Sequence, residues 1–391
     1  MSIGAGRSVS DHHGFSKSGR YEHIDALRAF AVMLVVVQHT NVGRIPGGSG
    51  VTIFFTISGF IITHLLLTEK AKTDKFSIRG FYWRRFLKLA PPFMVIITIP
   101  TIIYSLWEPI NWSALAAQIF FVFNWNQYLP ISPVAILPGS SVVWSLSVEE
   151  QFYIGFAILW LLIVKRRHYL GLLTLLALVS AVGSLVLRIL YTLNGTSWDR
   201  IYTGTDTRLD AIAIGILAAT IYYQINRPGL SRIRHLLSHD SIPFAAVAAY
   251  LLSLLIRDQF FRSTFLYSMQ ALATAAMILY GLLASNTTVH RALARLAGLA
   301  VVQVIGWSSY SIYLIHAPLM RLMEPQISGL PQLVRVSVLI LVGASGGILV
   351  WAIVERPVQR WKRRQKLKKL DLDVRLSPTV VSMEDDGIRR T

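Results

Sequence analysis

The sequence predicts an all-α integral membrane protein of about ten transmembrane helices, with the N-terminus and C-terminus cytoplasmic. Three observations predict it. Of the 391 residues, 53% are hydrophobic and only 15% charged, and the mean hydropathy is +0.52, far above that of a soluble protein. Apolar windows about twenty residues long, the length that crosses a bilayer, recur along the whole chain. Lys and Arg gather in alternate connections between those windows, as they do when one side of a membrane protein is cytoplasmic.

Taken in order, residues 1–20 are polar and contain no apolar run, so no cleaved signal peptide is expected and the first span serves as the insertion signal. The windows fall at 24–41, 50–68, 87–107, 147–164, 169–191, 209–225, 241–256, 264–285, 305–323 and 336–354. One more, SALAAQIFFVFNW at 113–125, has the length of a re-entrant or interfacial segment. Charge decides whether it crosses. With the N-terminus inside and 113–125 not crossing, the inner segments together with Lys88 hold about 26 Lys and Arg, and the outer loops about 6. A crossing would put every later basic loop outside, against the positive-inside rule. The segment is therefore read as an outer re-entrant element buried in protein. The expected organisation is a disordered cytoplasmic tail at 1–20, a transmembrane domain at 21–360, and a basic, then disordered, cytoplasmic tail at 361–391.

Several function classes fall away. The chain has no Cys, so no thiolate nucleophile or Cys metal site exists. The net charge of +18 suits nucleic-acid binders, but these cations lie between spans. Membrane lipids, and no nucleic acid, are the expected partners. There is no P-loop, dinucleotide fingerprint or His-Glu-x-x-His motif, so ATP, NAD and metal chemistry are unsupported. No transporter-type internal repeat is visible.

Ionisable residues inside spans are costly and are functional candidates by default. The first span, IDALRAFAVMLVVVQHT, carries Arg28 and His39. Eleven residues turn a helix about 1100° and advance it roughly 16 Å, so the two share one face at opposite depths. Asp25, three residues before Arg28, is placed to pair with it. Ser58 and Gly59 in TISGFIITHLL lie near mid-membrane, as helix packing or as a close approach for a ligand. Arg84, Arg85 and Lys88 in FYWRRFLKLAPP cluster at the inner surface, as lipid-facing cations or as a phosphate site. In WSLSVEEQFY, Glu149 and Glu150 diverge by about 100°, so one faces a cavity and the other a neighbour; Ser147 is a candidate cap. In DTRLDAIAIG, Arg208 and Asp210 bracket the start of the sixth span. Tyr310, Tyr313 and His316 recur every three residues in SYSIYLIHAPL, a polar stripe of the kind that lines cavities. An acid–base set thus faces outward and an anion-suited set inward. A His with carboxylates suits general-base activation of a hydroxyl.

These motifs carry a resemblance. YEHIDALRAFAVMLVVVQH, GVTIFFTISGFIITHLLL, FYWRRFLKLAPP, WSLSVEEQFY, RLDAIAIGILAA and SYSIYLIHAPL, in that order over about residues 21–360, resemble the acyltransferase-3 family of membrane O-acyltransferases. That family acylates bacterial surface polysaccharides, lipid-linked sugars, nodulation factors and macrolides. The resemblance implies an acyl-CoA donor, usually acetyl-CoA, with His39 as the essential catalytic residue and Arg28 its motif partner; Ser58 and Gly59 match the family's Ser-Gly-Phe element. Lys88, Leu89 and Ala90 stand where the family often has Arg, Ile and an aromatic residue. No fused serine-hydrolase-like domain is expected.

The combined expectation is a multi-pass enzyme of the bacterial inner membrane. Arg28, Arg84, Arg85, Lys88, Ser58 and Gly59 meet acyl-CoA at the cytosolic face. His39 is general base on an extracytoplasmic or lipid-linked sugar hydroxyl, with Glu149 or Glu150 orienting the imidazole or holding the acceptor. Arg208, Asp210, Tyr313 and His316 shape the acceptor cavity. Ser58 has no obvious adjacent base, which favours threading of the donor's arm over a relay. The alternatives are acylation of a macrolide-type metabolite and a transporter or flippase of acylated glycan.

Overall fold

The computed structural model describes residues 21–40, 48–73, 77–126, 136–362 and 364–365. The tail expected at 1–20 lies outside them; of the tail expected at 361–391 only 361, 362, 364 and 365 are described, and they are helical. Among the described residues every regular element is helical.

Helices α1 (Glu22–Gln38) and α2 (Gly48–Thr73) open the bundle. Helix α3 (Ile78–Phe93) is capped by Ser77 Oγ, which accepts from Gly80 N at 3.1 Å. It starts well before the apolar window because the basic, aromatic run ahead of that window is helical too. Pro91 and Pro92, which lack N–H donors, lie inside it, and the chain continues through a π turn (Met94–Thr98) into α4 (Ile99–Tyr104). Helices α5 (Trp112–Ile119) and α6 (Phe123–Asn126) precede a 3-10 turn (Ser140–Val143) and α7 (Trp144–Ile163). Then come α8 (Tyr169–Leu193), α9 (Trp198–Thr203), α10 (Thr205–Gln224), α11 (Ser231–Leu237) and α12 (Ser241–Leu255). Helices α13 (Gln259–Ser263), α14 (Phe265–Leu283), α15 (Thr288–Ala297), α16 (Ala300–Ile327) and α17 (Gln332–Val350) follow, and a π turn (Trp351–Glu355) carries α17 on into helical residues 356–362.

Among the described residues six helices are long and apolar enough to cross a membrane, or up to 8 if each of the pairs α11–α12 and α15–α16, bent by 61°, is one span. Helix α1 has only 17 residues, and α10 carries Asp206, Arg208 and Asp210. Both pack inside the bundle, where charge is tolerated. The apolar window is 72% buried in α2 but 22% in α8 and 28% in the α17 helix, so α2 is central and the other two present apolar faces outward from the bundle.

Contacts fix the relative directions. Asp25 packs on Gly306, Arg28 meets Ser309 and His39 meets His316, so α1 and α16 run parallel. Helices α2, α10 and α14 start together, where Gly48 abuts Tyr202 and Tyr267, and α7 starts there too, with Trp144 4.7 Å from the Tyr202 ring. Helix α3 runs against α7, pairing Arg85 with Glu150 and Tyr82 with Tyr153. The bundle thus has a basic end, at Arg84 and Arg85, and an aromatic end, at Trp144 and Tyr202. Helix α4 finishes and α7 begins at the aromatic end. Between them, Gln118 reaches Ser140, and Asn124 reaches Thr203 and Thr205. The 113–125 segment, expected to be an outer re-entrant element, forms the short helices α5 and α6, which pack at the aromatic end.

Candidate active site

Two cavities meet inside the bundle. The larger, about 630 Å³, opens at the basic end between α2, α3, α7 and α16. Its polar lining includes Arg28, Ser58, Glu69, Arg84, Arg85, Lys88 and Glu149, and its apolar lining comes mainly from Ile57, Ile61, Leu65, Leu66 and Leu89. A smaller space of about 280 Å³ beside it shares Arg28 and Lys88. At the aromatic end a second cavity, about 560 Å³, is walled by Phe123, Trp144, Trp198 and Tyr202, with Gln38, His39, Asp199 and Thr203 among its polar groups. Val51 and Tyr313 line both large cavities, so a wall one side chain thick separates them. The Tyr313 hydroxyl donates to Val142 O at 2.9 Å and lies 2.6 Å from Ser145 Oγ.

Arg28 and His39 stand at the two cavities, as their spacing on one helix face predicts. Arg28 Nε donates to Ser309 Oγ at 3.1 Å, while Asp25 accepts from Trp307 Nε1 at 3.1 Å; the expected Asp25–Arg28 pair gives way to separate partners on α16. His39 caps the C-terminus of α1, exposed to the aromatic cavity. Its Nδ1 lies 2.9 Å from Val35 O and 3.3 Å from His316 Nε2. The expectation that a Glu orients this imidazole meets a different arrangement: the neighbour is His316, and both carboxylates are elsewhere.

Glu149 and Glu150 diverge as helix geometry requires, but both face the basic side of the wall. Glu149 Oε1 accepts from Ser58 Oγ and from the Tyr153 hydroxyl, the latter at 3.1 Å. Ser58 therefore does have a carboxylate beside it. Glu150 is clasped by Arg85, whose Nε donates to both carboxylate oxygens at 2.8 and 3.0 Å and whose guanidinium lies 3.1 Å above the Tyr153 ring. Arg84 is exposed, 3.7 Å from Glu69. Lys88 is open to the cavity. Ser147 lies inside α7, which starts at Trp144, so it caps nothing.

Three expected site residues lie off the cavity walls. Gly59 faces α10: a Cβ there would fall on the Ile212 carbonyl oxygen, and one on Gly215 would fall on that of Thr56. It is a close-packing residue. Asp210 is 0% exposed, held by Arg188 Nη2 at 2.7 Å and Ser268 Oγ at 2.6 Å. Arg208, also 0% exposed, donates to Thr52 Oγ1 at 2.9 Å and lies 3.7 Å above the Tyr267 ring. It approaches the aromatic cavity only from behind Tyr202, 5.7 Å from that ring.

Sequence reading missed Tyr153, Glu355 and Arg188. Tyr153 lies four residues after Glu149, on the same face. Glu355 accepts from Ser311 Oγ. Arg188 is an ionisable group within the 169–191 window, which the intramembrane-charge rule flags, whereas Glu355 lies one residue past the last window. The aromatic wall from Trp198 and Tyr202 lay in a loop between windows and carried no such signal.

Comparison with known proteins adds the following. A family described as an acyltransferase domain matches residues 21–355. An O-acetyltransferase OatA of Staphylococcus aureus is 29% identical over 317 residues, covering 76% of this chain and 50% of that protein. A peptidoglycan O-acetyltransferase OatA of Listeria monocytogenes is 30% identical over 318 residues, covering 77% of this chain and 50% of that protein. The chain thus spans about half the length of these curated relatives. No solved structure matches.

Proposed function

The chain belongs to the acyltransferase-3 family, and on that premise we propose that it is a bacterial inner-membrane O-acyltransferase that moves an acetyl group from cytosolic acetyl-CoA to a hydroxyl of an envelope glycan. The observation that carries the reading is the pair of cavities with unlike chemistry, back to back across one wall that has His39 on its far side.

Acyl-CoA supplies a thioester acyl group and a thiol leaving group. The basic cavity fits such a donor: the exposed Arg84 and Lys88 offer cations for phosphates, and Ile57, Ile61, Leu65 and Leu66 offer an apolar path for a slender arm. Arg85 serves differently, fixing Glu150 and the Tyr153 ring as part of the cavity floor. The aromatic cavity fits a sugar. Flat rings with electron-rich faces stack against polarised C–H groups, and the polar groups Gln38, Asp199 and Thr203 suit hydroxyls. Peptidoglycan, named for the Listeria relative, is an acceptor of this kind. His39 accepts the acceptor hydroxyl's proton as its oxygen attacks the acyl carbon. The basic end is then cytoplasmic, which agrees with an N-terminus-inside, ten-span topology.

The test uses the purified full chain in liposomes with radiolabelled acetyl-CoA and peptidoglycan fragments. Label should move into an alkali-labile ester on the glycan, and His39→Ala should abolish it while the protein stays monodisperse. No labelled glycan from the wild-type chain would refute the enzyme reading in favour of transport; full activity in His39→Ala would refute the base.

A further inference from the structure

We propose that His316 is a positioning residue that holds His39 in the single tautomer and ring orientation from which it can take the acceptor's proton; this rests on His39 being the base. The argument starts from what backbone carbonyls can do, which is only to accept. His316 Nδ1 lies 2.7 Å from Tyr313 O and 3.1 Å from Ile312 O. That nitrogen therefore carries the ring hydrogen, and in the neutral imidazole Nε2 is a bare lone pair. This lone pair faces His39 Nδ1 at 3.3 Å. His39 Nδ1 is itself 2.9 Å from Val35 O, so it too carries its hydrogen, shared between the carbonyl and His316. The remaining nitrogen of His39, Nε2, is left bare, as a general base requires.

The Val35 carbonyl, one turn back on the same helix, fixes where the hydrogen is but does little to fix the ring plane. His316 supplies the second constraint from another helix. The rings meet edge-on, with centroids 4.8 Å apart and planes at 72°. His316 has no freedom to turn away: it is 0% exposed, and α17 presses behind it at Gly343, where an added Cβ would come within 3.2 Å of His316 Cβ.

Exposure assigns the roles. His39 opens onto the aromatic cavity, whereas His316 is buried behind it, so an acceptor meets His39 and not His316. During transfer the hydroxyl proton passes to His39 Nε2 as the new C–O bond forms. The His39 cation then donates its Nδ1 hydrogen to Val35 O and to His316 Nε2, both of which are acceptors. As the C–S bond breaks, the proton goes to the departing sulfur and His39 returns to neutral; His316 neither gains nor loses a proton.

The experiment compares His39→Ala, His316→Ala and His316→Gln in the liposome assay at varied acceptor concentration, with thermal midpoints measured in parallel. The Gln side-chain amide reaches the place of His316 Nε2 and offers an oxygen acceptor there. His316→Ala should lower kcat about 10- to 100-fold, part of the 10²–10⁴-fold that general acid–base catalysis contributes, with acceptor KM within threefold. His316→Gln should recover most of that loss. His316→Ala within threefold of wild type, with His39→Ala inactive, overturns the positioning role and spares the base. Equal loss in His316→Ala and His316→Gln with lowered midpoints makes His316 structural and also overturns it. An active His39→Ala refutes the base reading itself.

Discussion

Asp210→Asn separates two meanings of a buried carboxylate. Arg188 is 0% exposed and is tied to Thr264 O at 2.9 Å, Thr207 O at 2.5 Å, Ser268 Oγ at 2.7 Å and Asp210 Oδ2 at 2.7 Å. Asn keeps the shape and an acceptor oxygen, so the hydrogen bonds largely survive and what is lost is the counter-charge. Removing one member of a buried ion pair costs about 3–5 kcal/mol. Taking the lower bound, because the remaining carbonyls still solvate the guanidinium, and about 1–2 °C per kcal/mol for a chain of this length, the thermal midpoint should fall by roughly 3–6 °C. The assay is size-exclusion chromatography of the heated, detergent-solubilised protein, beside transfer kinetics. Arg188→Met with Asp210→Leu removes both charges, and most of the stability should return, since apolar replacement of a buried pair is often neutral. An unchanged midpoint in Asp210→Asn with a tenfold higher acceptor KM would refute this reasoning and return Asp210 to the acceptor site.

Gly59→Ala should lower the thermal midpoint, since the new methyl would fall on the Ile212 carbonyl and overpacking costs about 1–3 kcal/mol; the apparent KM for acetyl-CoA should hold, and a raised KM at unchanged stability would make Gly59 a donor-site residue after all. Arg84→Ala should raise the KM for acetyl-CoA several-fold with little loss of stability, because Arg84 is exposed with only a 3.7 Å contact to Glu69. Arg85→Ala should instead destabilise the protein by leaving the buried Glu150 without its cation. If the two variants behave alike, the division between a donor cation and a structural one is wrong.

The sequence made local relations readable and left tertiary ones dark. That Arg28 and His39 lie at opposite depths follows from helix pitch alone, and so does the divergence of Glu149 and Glu150. Which partner each one meets depends on which helices pack together. Arg85 reaches Glu150 because α3 runs against α7, and His316 reaches His39 because α1 and α16 are parallel; neither relation leaves a mark on local periodicity. Gly59 and Asp210 were ambiguous for a further reason. A small residue or a charge inside a span signals that something unusual contacts it, a ligand or another helix, and the sequence does not say which. In both cases the contact is another helix.

If the proposed function holds, an acetyl group has to cross between the cavities, and the geometry bears on its route. Ser58 has the neighbour that an ester relay would want, since its hydroxyl donates to Glu149. Yet Glu149 Oε1 also accepts from Tyr153, an arrangement that occupies the carboxylate oxygen and secures the cavity wall. Distance argues further against a relay. Ser58 is seven residues from Val51 on α2, two turns or about 10 Å along the axis, and Val51 is the α2 residue shared by both cavities. An acetyl group on Ser58 would therefore still be about 10 Å short of the wall and would need a second carrier, whereas an arm extended along Ile57 and Ser58 toward Val51 and Tyr313 needs none. The decisive contact on that route is the Tyr313 hydroxyl on Val142 O and Ser145 Oγ. It ties α16 to the start of α7 at the wall that Tyr313 forms with Val51, so on the threading route Tyr313 is a side chain that has to shift for the two cavities to join beside His39.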